Sequence, residues 1–264
     1  MRIRIFLIVA VATFAAACQT VQTTQPGSVG VERKQLMLVS EEQIAAGAQE
    51  AYRQELAKAR EQQALNANQQ MHQRVQAITQ RLIPQTSVFR PDATQWAWEV
   101  NVQTSKDVNA YCMPGGKIMV YTGLIEKLNA TDAEIAAVIG HEIAHALREH
   151  SRERISRAYA EQLALAGIAV ATGAGENTMA IANQVSAVTF SLPHSREQEA
   201  EADRIGLELM ARAGYDPNAS VSLWEKMSQL GGGGPEFLST HPSGQSRIRD
   251  LQAAIPSVMP LYKK

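Results

Sequence analysis

The sequence predicts an α+β fold that is mostly helical, and three observations lead to this prediction. Capping boxes, in which a Ser or Thr precedes a Gln or Glu by three residues, open helices at Ser40 and Thr131. Apolar residues recur at a helical period through most of the chain, and only the stretch after Pro91 alternates with a period of two. The hydrophobic fraction of 45% over 264 residues is ample for a buried core.

Charge and cysteine content exclude several classes of protein. The 25 Lys and Arg residues nearly balance 26 Asp and Glu residues, which leaves a formal net charge of −1. Nucleic-acid-binding proteins are usually strongly basic, so we expect no nucleic-acid partner. Two cysteines are too few for a disulfide-bonded scaffold or for a zinc site built from cysteine alone.

Residues 1–17 are typical of a signal peptide, because a basic start precedes a short apolar run that ends in small residues. That run is too short to span a bilayer, which requires about 20 helical residues. Cys18 follows it directly, in a stretch that resembles a bacterial lipobox except that Ala15 replaces the preferred Leu. We expect Cys18 to carry a lipid that is the protein's only membrane contact. Cleavage before an unmodified cysteine, which would leave a soluble periplasmic protein, is the alternative.

The mature chain is predicted to be a short tether followed by one domain. Residues 18–35 are rich in Thr, Gln, Gly and Pro, have no apolar period and are expected to be flexible. Residues 36–264 form the domain, with N-terminal helices in 36–90 and the catalytic core in 91–264. If the protein is lipidated, Gln19 favours the periplasmic side of the outer membrane.

Within the domain, each element is predicted from its local pattern. The expected helices cover about residues 40–59, 68–82, 131–157, 177–191, 196–213, 217–230 and 243–254. The expected strands are 96–102, 108–112 and 117–121. A Pro-Gly-Gly turn joins the last two strands, which predicts a small antiparallel sheet. Residues 117–121 could be an edge strand that holds an extended substrate, or simply an ordinary strand.

The motif that carries chemistry is His141-Glu142-Ile143-Ala144-His145, inside the long helix predicted from Thr131. Residues four apart lie on one helical face, so both imidazoles can bind one Zn²⁺ ion. Glu142 lies beside them, where its carboxylate can act as a general base. His150 lies about 180° around a continuous helix from His141 and is expected at the surface. His194 is expected to be a structural or surface residue.

A catalytic zinc site needs a third protein ligand, and the segment after Ser195 offers three glutamates. Glu199 shares a helical face with Asp203, which could act as a hydrogen-bonding partner for the ligands. Glu197 and Glu201 share the opposite face. Spacing favours Glu199 but leaves the other two open. An acidic start to a helix with no metal role is the remaining alternative.

His141-Glu142-x-x-His145 with Glu199-x-x-x-Asp203 resembles the metallopeptidase family of HtpX and the CAAX prenyl endopeptidases. The resemblance extends over about residues 70–255, and three further segments match: Asn109 to Gly116, the strand before Gly123-Leu124, and Thr240-His241-Pro242 with Arg247-Ile248. It implies a zincin-like (gluzincin) fold, zinc ligands His141, His145 and Glu199, and Glu142 as base. It also implies that Asp203 orients a ligand histidine. Cys112 departs from the Ala or Phe that relatives often carry.

The predicted function is that of a zinc metalloendopeptidase in envelope protein quality control, a soluble periplasmic lipoprotein with one Zn²⁺ per chain. Its expected substrates are unfolded or misassembled envelope proteins. The alternative is a chaperone-like outer-membrane assembly factor with a restrained protease site, which the glycines at 231–234 before His241 favour. His241 could approach the metal's open position or simply cap the next helix. In a purely structural zinc site, Glu142 would have no catalytic role.

Overall fold

The computed structural model describes residues 20–166, 178–230, 236–241 and 245–263. The predicted signal peptide, the lipid attachment at Cys18 and the break at glycines 231–234 lie outside the described residues. Within those ranges, no helix combines the length and the apolar character that a membrane span requires.

The described chain is mostly helical with two small sheets, which confirms the predicted fold class. The strands are β1 (Thr20–Val21), β2 (Gln35–Leu36), β3 (Glu99–Gln103), β4 (Ala110–Met113) and β5 (Lys117–Tyr121). The α-helices are α1 (Glu41–Glu61), α2 (Gln69–Leu82), α3 (Thr122–Lys127), α4 (Asp132–Leu147), α5 (His150–Ala166), α6 (Thr178–Phe190), α7 (Arg196–Arg212), α8 (Ala219–Gln229), α9 (Glu236–Thr240) and α10 (Gln245–Val258). Short 3₁₀ helices cover Ile83–Val88, Pro91–Gln95 and Met259–Leu261.

Three capping boxes explain where the principal helices begin. Ser40, Thr131 and Ser195 each accept a hydrogen bond from the backbone of the residue three positions later, whose own side chain bonds back to the cap. These reciprocal bonds satisfy backbone N–H groups that have no partner inside the helix. The helix that carries the His-Glu motif and the helix that carries the acidic cluster therefore begin where local sequence dictates.

The three-stranded sheet is mixed, with the order β3-β5-β4. The β4–β5 hairpin is antiparallel, as expected, but β5 also pairs in parallel with β3. Gly116 in the hairpin turn has a φ of +80°, and a Cβ there would lie 2.6 Å from the Trp98 ring. Because β5 is central, both edges of its backbone are occupied by other strands. The prediction that residues 117–121 form a substrate-binding edge strand is therefore wrong.

The long helix predicted from Thr131 to Arg157 is instead two helices, α4 and α5. The chain turns between them at Glu149, which has a left-handed φ of 51°. Arg148 beside the turn is fully buried, and its guanidinium donates to a carboxylate oxygen of Glu201 at 3.0 Å. Charged and polar side chains around this turn are therefore buried, since Arg148, His150 and Glu153 have no exposed surface.

The segment predicted to be a flexible tether is packed against the domain from Thr23 onward. β1 and β2 pair with each other, and Val31 lies in the main hydrophobic core. Arg33 bridges two buried carboxylates, at 2.5 Å from Glu153 and 2.6 Å from Glu201. Arg33 thus pairs with buried charges rather than with water.

Helices α4 and α7 approach at backbone-contact distance through two glycines. A Cβ at Gly206 would lie 2.8 Å from the backbone nitrogen of His141, and one at Gly140 would lie 3.0 Å from the carbonyl oxygen of Gly206. Each contact is with backbone, which cannot move aside as a flexible side chain can. The glycine pair therefore sets the separation of the two helices that carry the predicted site.

We expect the Gly206→Ala substitution to destabilise the protein by about 1–3 kcal/mol, because the added methyl group overpacks this helix contact. Helix propensity alone would change stability in the opposite direction, by about 0.5–1 kcal/mol in favour of Ala. Urea unfolding of the metal-free protein measures the difference. An increase in the free energy of unfolding would contradict the steric role of Gly206.

Candidate metal centre

The two imidazoles of the His-Glu motif converge on one point. His141 and His145 lie one turn apart on α4, and both are buried. Their Nε2 atoms are 3.0 Å apart. Two unprotonated nitrogens facing each other at this distance repel unless a proton or a metal ion lies between them.

The third donor comes from α7. The carboxylate of Glu199 places Oε1 3.3 Å from His145 Nε2 and Oε2 3.5 Å from His141 Nε2. Of the two alternatives that spacing left open, Glu197 is exposed, whereas Glu201 is directed towards Arg148 and His150. The structure thus brings Glu199, and neither of the others, to both imidazoles.

These three donors fit a tetrahedral metal ion. A Zn²⁺ ion with bonds of about 2.0–2.1 Å keeps its ligand atoms about 3.3–3.4 Å apart. The two Nε2 atoms are 3.0 Å apart, and each has a different oxygen of the Glu199 carboxylate nearby, at 3.3 Å from His145 and at 3.5 Å from His141. Their donor set of two imidazoles and a carboxylate also matches the ligand preferences of a catalytic zinc site. These residues could therefore hold the predicted metal ion without rearrangement of the helices.

Glu142 lies beside the donors but is not one of them. Its carboxylate is buried, and Oε1 has no hydrogen-bond partner, with His241 Nε2 3.5 Å away. Burial raises the pKa of Glu142 above its ordinary value, while the imidazoles of His241 and His141 oppose that change. A buried carboxylate oxygen without a partner is costly, so its presence points to a ligand or water at this position.

Asp203 lies one turn after Glu199 and approaches the other side of His141. Its Oδ1 is 3.0 Å from His141 Nδ1, which leaves Nε2 free to face the centre. Burial raises the pKa of Asp203, but Arg247 outweighs this effect and holds it below the ordinary value. The position is the one that the family resemblance implies for a residue that orients a ligand histidine.

Arg247 on α10 is a site residue to which the sequence analysis assigned no role. Its buried guanidinium donates to Glu199 Oε2 and to both oxygens of Asp203, each at 2.6 Å, and lies 3.7 Å from the centroid of the Trp224 ring. It therefore holds the two carboxylates in fixed orientations and offsets their charge. Nothing in the local pattern of α10 distinguishes it from a surface arginine.

His241 lies at the fourth corner of the donor cluster. Its Nδ1 atom is 3.3 Å from His141 Nε2 and 3.0 Å from Glu199 Oε1, and Phe237 stacks on its ring with a centroid distance of 4.3 Å. The ligand atoms of all four residues lie within 4.8 Å of one another. Of the two roles that the sequence left open, the structure favours the approach to the open metal position.

Two further histidines lie near the centre. His150 is fully buried, with its Nδ1 2.8 Å from Nδ1 of His145, so the expectation that it lies at the surface is wrong. The physical reason is the turn at Glu149, which removes the 180° rotation that a continuous helix would give. His194 precedes α7, and its ring centroid is 4.0 Å from that of His145.

The strand next to this centre is β4. Among the described residues it pairs with β5 alone, so its other edge is not used by a strand. β4 packs against α4. Burial raises the pKa of the Cys112 thiol on β4 well above its ordinary value, and the nearby Glu142 carboxylate raises it further. The edge strand beside the candidate base is thus β4 rather than β5.

The model of the family described as "Peptidase family M48" matches residues 69–255, which includes every residue of the donor cluster. That match, together with the metal-ligand geometry of the cluster, supports a metal ion at this position.

Curated proteins that resemble the chain include metallopeptidases from mitochondria and bacteria. The chain is 43% identical over 162 residues to mitochondrial metalloendopeptidase OMA1 of Arabidopsis thaliana (60% of this chain, 32% of the relative). It is 34% identical over 184 residues to mitochondrial metalloendopeptidase OMA1 of Homo sapiens (64% and 34%). It is 28% identical over 169 residues to the beta-barrel assembly-enhancing protease of Escherichia coli (59% and 34%). The matched part spans about a third of the length of each of these relatives.

We expect the Glu199→Ala variant to lose most of its bound metal, because the substitution removes one of three protein donors. Glu197→Ala is the matched control, since Glu197 is on the same helix two residues earlier and its side chain is 59% exposed. Elemental analysis after dialysis measures metal per chain. Equal metal content in the two variants would contradict the assignment of Glu199.

Proposed function

The chain belongs to peptidase family M48, and we propose that it is a zinc-dependent metalloendopeptidase. The observation that carries this proposal is the convergence of His141, His145 and Glu199 at 3.0–3.5 Å, with the unpartnered Oε1 atom of Glu142 beside them. A purely structural site would give that buried carboxylate nothing to bind.

In this proposal His141, His145 and Glu199 hold one Zn²⁺ ion per chain. When bound, the ion would supply a Lewis acid that polarises the scissile carbonyl and lowers the pKa of water to about 7. Glu142 accepts the proton of the attacking water and returns it to the leaving amine. Burial raises the pKa of Glu142 above its ordinary value, which favours uptake of a proton by this carboxylate.

The surrounding residues keep these groups in position. Asp203 fixes the ring of His141, and Arg247 holds both Glu199 and Asp203 by short hydrogen bonds. The edge of β4 that pairs with no described strand is where we propose that an extended substrate binds by backbone hydrogen bonds. Such binding suits unfolded chains, because a strand can pair only with a segment whose own backbone groups are free.

For the substrates and location, we propose unfolded or misassembled envelope proteins and the periplasmic side of the outer membrane, with a lipid on Cys18 as anchor. The basic start, the apolar run and the position of Cys18 support this location. A soluble periplasmic form, cleaved before an unmodified cysteine, is the alternative. Mass spectrometry of the mature N-terminus distinguishes the two. Relatives named as mitochondrial show that family membership alone does not determine the compartment.

A second candidate function is a chaperone-like assembly factor whose protease is restrained. The position of His241 favours it, because an imidazole at the fourth corner competes with water and substrate for that corner. The name of the beta-barrel assembly-enhancing protease supports the same role. Rescue of an outer-membrane assembly defect by a cleavage-deficient variant would favour this function over a purely proteolytic one.

We expect Glu142→Gln to abolish cleavage of casein while zinc content and thermal stability stay close to those of the wild type. The amide is nearly isosteric with the carboxylate but cannot accept a proton, and loss of a general base costs about 10²–10⁴-fold in rate. A gel-based digest and metal analysis on the same preparation provide both readouts. Retained cleavage would refute the role of Glu142.

We expect His241→Ala to cleave casein faster than the wild type at equal zinc content, because the fourth corner of the donor cluster is then open to water and substrate. The measurement is the initial rate of proteolysis per bound zinc. A slower rate would contradict the restraint and would instead indicate that His241 assists the reaction.

A further inference from the structure

His145 has a hydrogen-bonding partner on the side that faces away from the donor cluster. Its Nε2 faces His141 and Glu199, so the ring nitrogen left over is Nδ1. The Nδ1 atom of His150 lies 2.8 Å from it. Only one hydrogen fits between two nitrogens at this distance, so one ring donates and the other accepts.

The direction of that hydrogen bond follows from the metal-binding geometry. A ligand imidazole binds the metal through an unprotonated nitrogen, so the proton of His145 must be on Nδ1. His145 therefore donates to His150, whose Nδ1 must be unprotonated. The proton of a neutral His150 is then on Nε2, and this atom lies 3.0 Å from Glu201 Oε2. Each N–H group in this series of hydrogen bonds, from His145 through His150 to Glu201, therefore has an acceptor.

Glu201 is itself fixed by two arginines. Arg148 donates to Oε2 at 3.0 Å, and Arg33 donates to Oε1 at 2.6 Å and to Oε2 at 3.1 Å. Burial raises the pKa of Glu201, but the hydrogen bond from His150 and those from the two arginines outweigh this effect and hold the pKa at about 2. The carboxylate at the end of the chain is thus an anion with a fixed orientation.

The two ligand histidines are therefore supported in different ways. His141 has a carboxylate directly on its Nδ1, from Asp203. The Nδ1 atom of His145 instead contacts the imidazole of His150, and the carboxylate of Glu201 contacts the other nitrogen of that imidazole. Both carboxylates are on α7, where Glu199, Glu201 and Asp203 follow one another at intervals of two residues. Nothing else in the described chain accepts a hydrogen bond from Nδ1 of His145.

We propose that His150 is a positioning residue that fixes the tautomer and ring orientation of His145, and that Glu201 acts on His145 through it. The inference rests on the proposed metal centre, since the direction of the hydrogen bonds follows from Nε2 of His145 being a metal ligand. It gives the buried histidine after the turn at Glu149 a role in zinc affinity.

The test compares the zinc affinity of the full chain with that of three variants, by competition with a chromophoric chelator. We expect His150→Leu to weaken zinc binding by about 10–100-fold, because it keeps the volume but removes the acceptor for His145. His150→Gln should restore most of the affinity, since one amide both accepts from His145 and donates to Glu201.

Glu153→Gln is the matched control for damage to the buried polar network. Glu153 is fully buried and bonds to Arg33, Gln35 and Gln198, but the described structure shows no bond from it to His150. The Glu153→Gln substitution should lower the unfolding temperature of the metal-free protein and leave its zinc affinity unchanged. A loss of affinity in Glu153→Gln equal to that in His150→Leu would overturn the proposal, because zinc binding would then follow general stability.

The outcomes separate this inference from the proposed function. Zinc binding by the wild type with no loss in His150→Leu would overturn the role of His150 alone, whereas absence of zinc binding by the wild type would overturn the metal centre as well. If His150→Leu does not fold, long-range ¹H–¹⁵N NMR of the zinc-loaded wild type decides. Protons on Nδ1 of His145 and Nε2 of His150 support the proposal, and any other placement overturns it.

Discussion

The close contact of helices α4 and α7 is the constraint on which the rest of the site depends. At Gly140 and Gly206 the two backbones meet so closely that a Cβ on either helix would lie 2.8–3.0 Å from backbone atoms of the other. Glu199 and Asp203 of α7 contact the imidazoles of α4, and their carboxylates reach these rings only because the helices are this close. A larger separation would move the carboxylate of Glu199 out of reach of both Nε2 atoms.

Because α7 lies so close to α4, this one helix supplies three acidic residues to the site, and each has a different partner. Glu199 faces both imidazole Nε2 atoms, Asp203 faces His141 Nδ1, and Glu201 faces His150. Their negative charges are offset by arginines, with the buried Arg247 on one side and the buried Arg148 with the partly buried Arg33 on the other. Burial of this many charges is tolerable only because each carboxylate is paired and hydrogen-bonded.

The N-terminal segment belongs to this arrangement although it lies far from the motif in sequence. Arg33 joins Glu201 of α7 to Glu153 of α5, and Gln35 donates to the carbonyl oxygen of Arg148 and to Glu153. The segment thus spans the turn between α4 and α5 and satisfies polar groups that the turn exposes. It connects the chain that follows the predicted lipid anchor to the helix that carries Glu199.

The sequence by itself determined the fold class, the starts of α1, α4 and α7, and the spacing of His141, Glu142 and His145. These features depend on interactions within a few residues, namely capping bonds and the helical repeat. Tertiary structure decided the turn at Glu149, the central position of β5 and the partners of Glu199, Glu201 and Arg247. No Gly or Pro marks the turn, and the strand order and the buried ion pairs join residues up to about 170 positions apart. Such pairings arise from the packing of whole elements, which local sequence patterns do not encode.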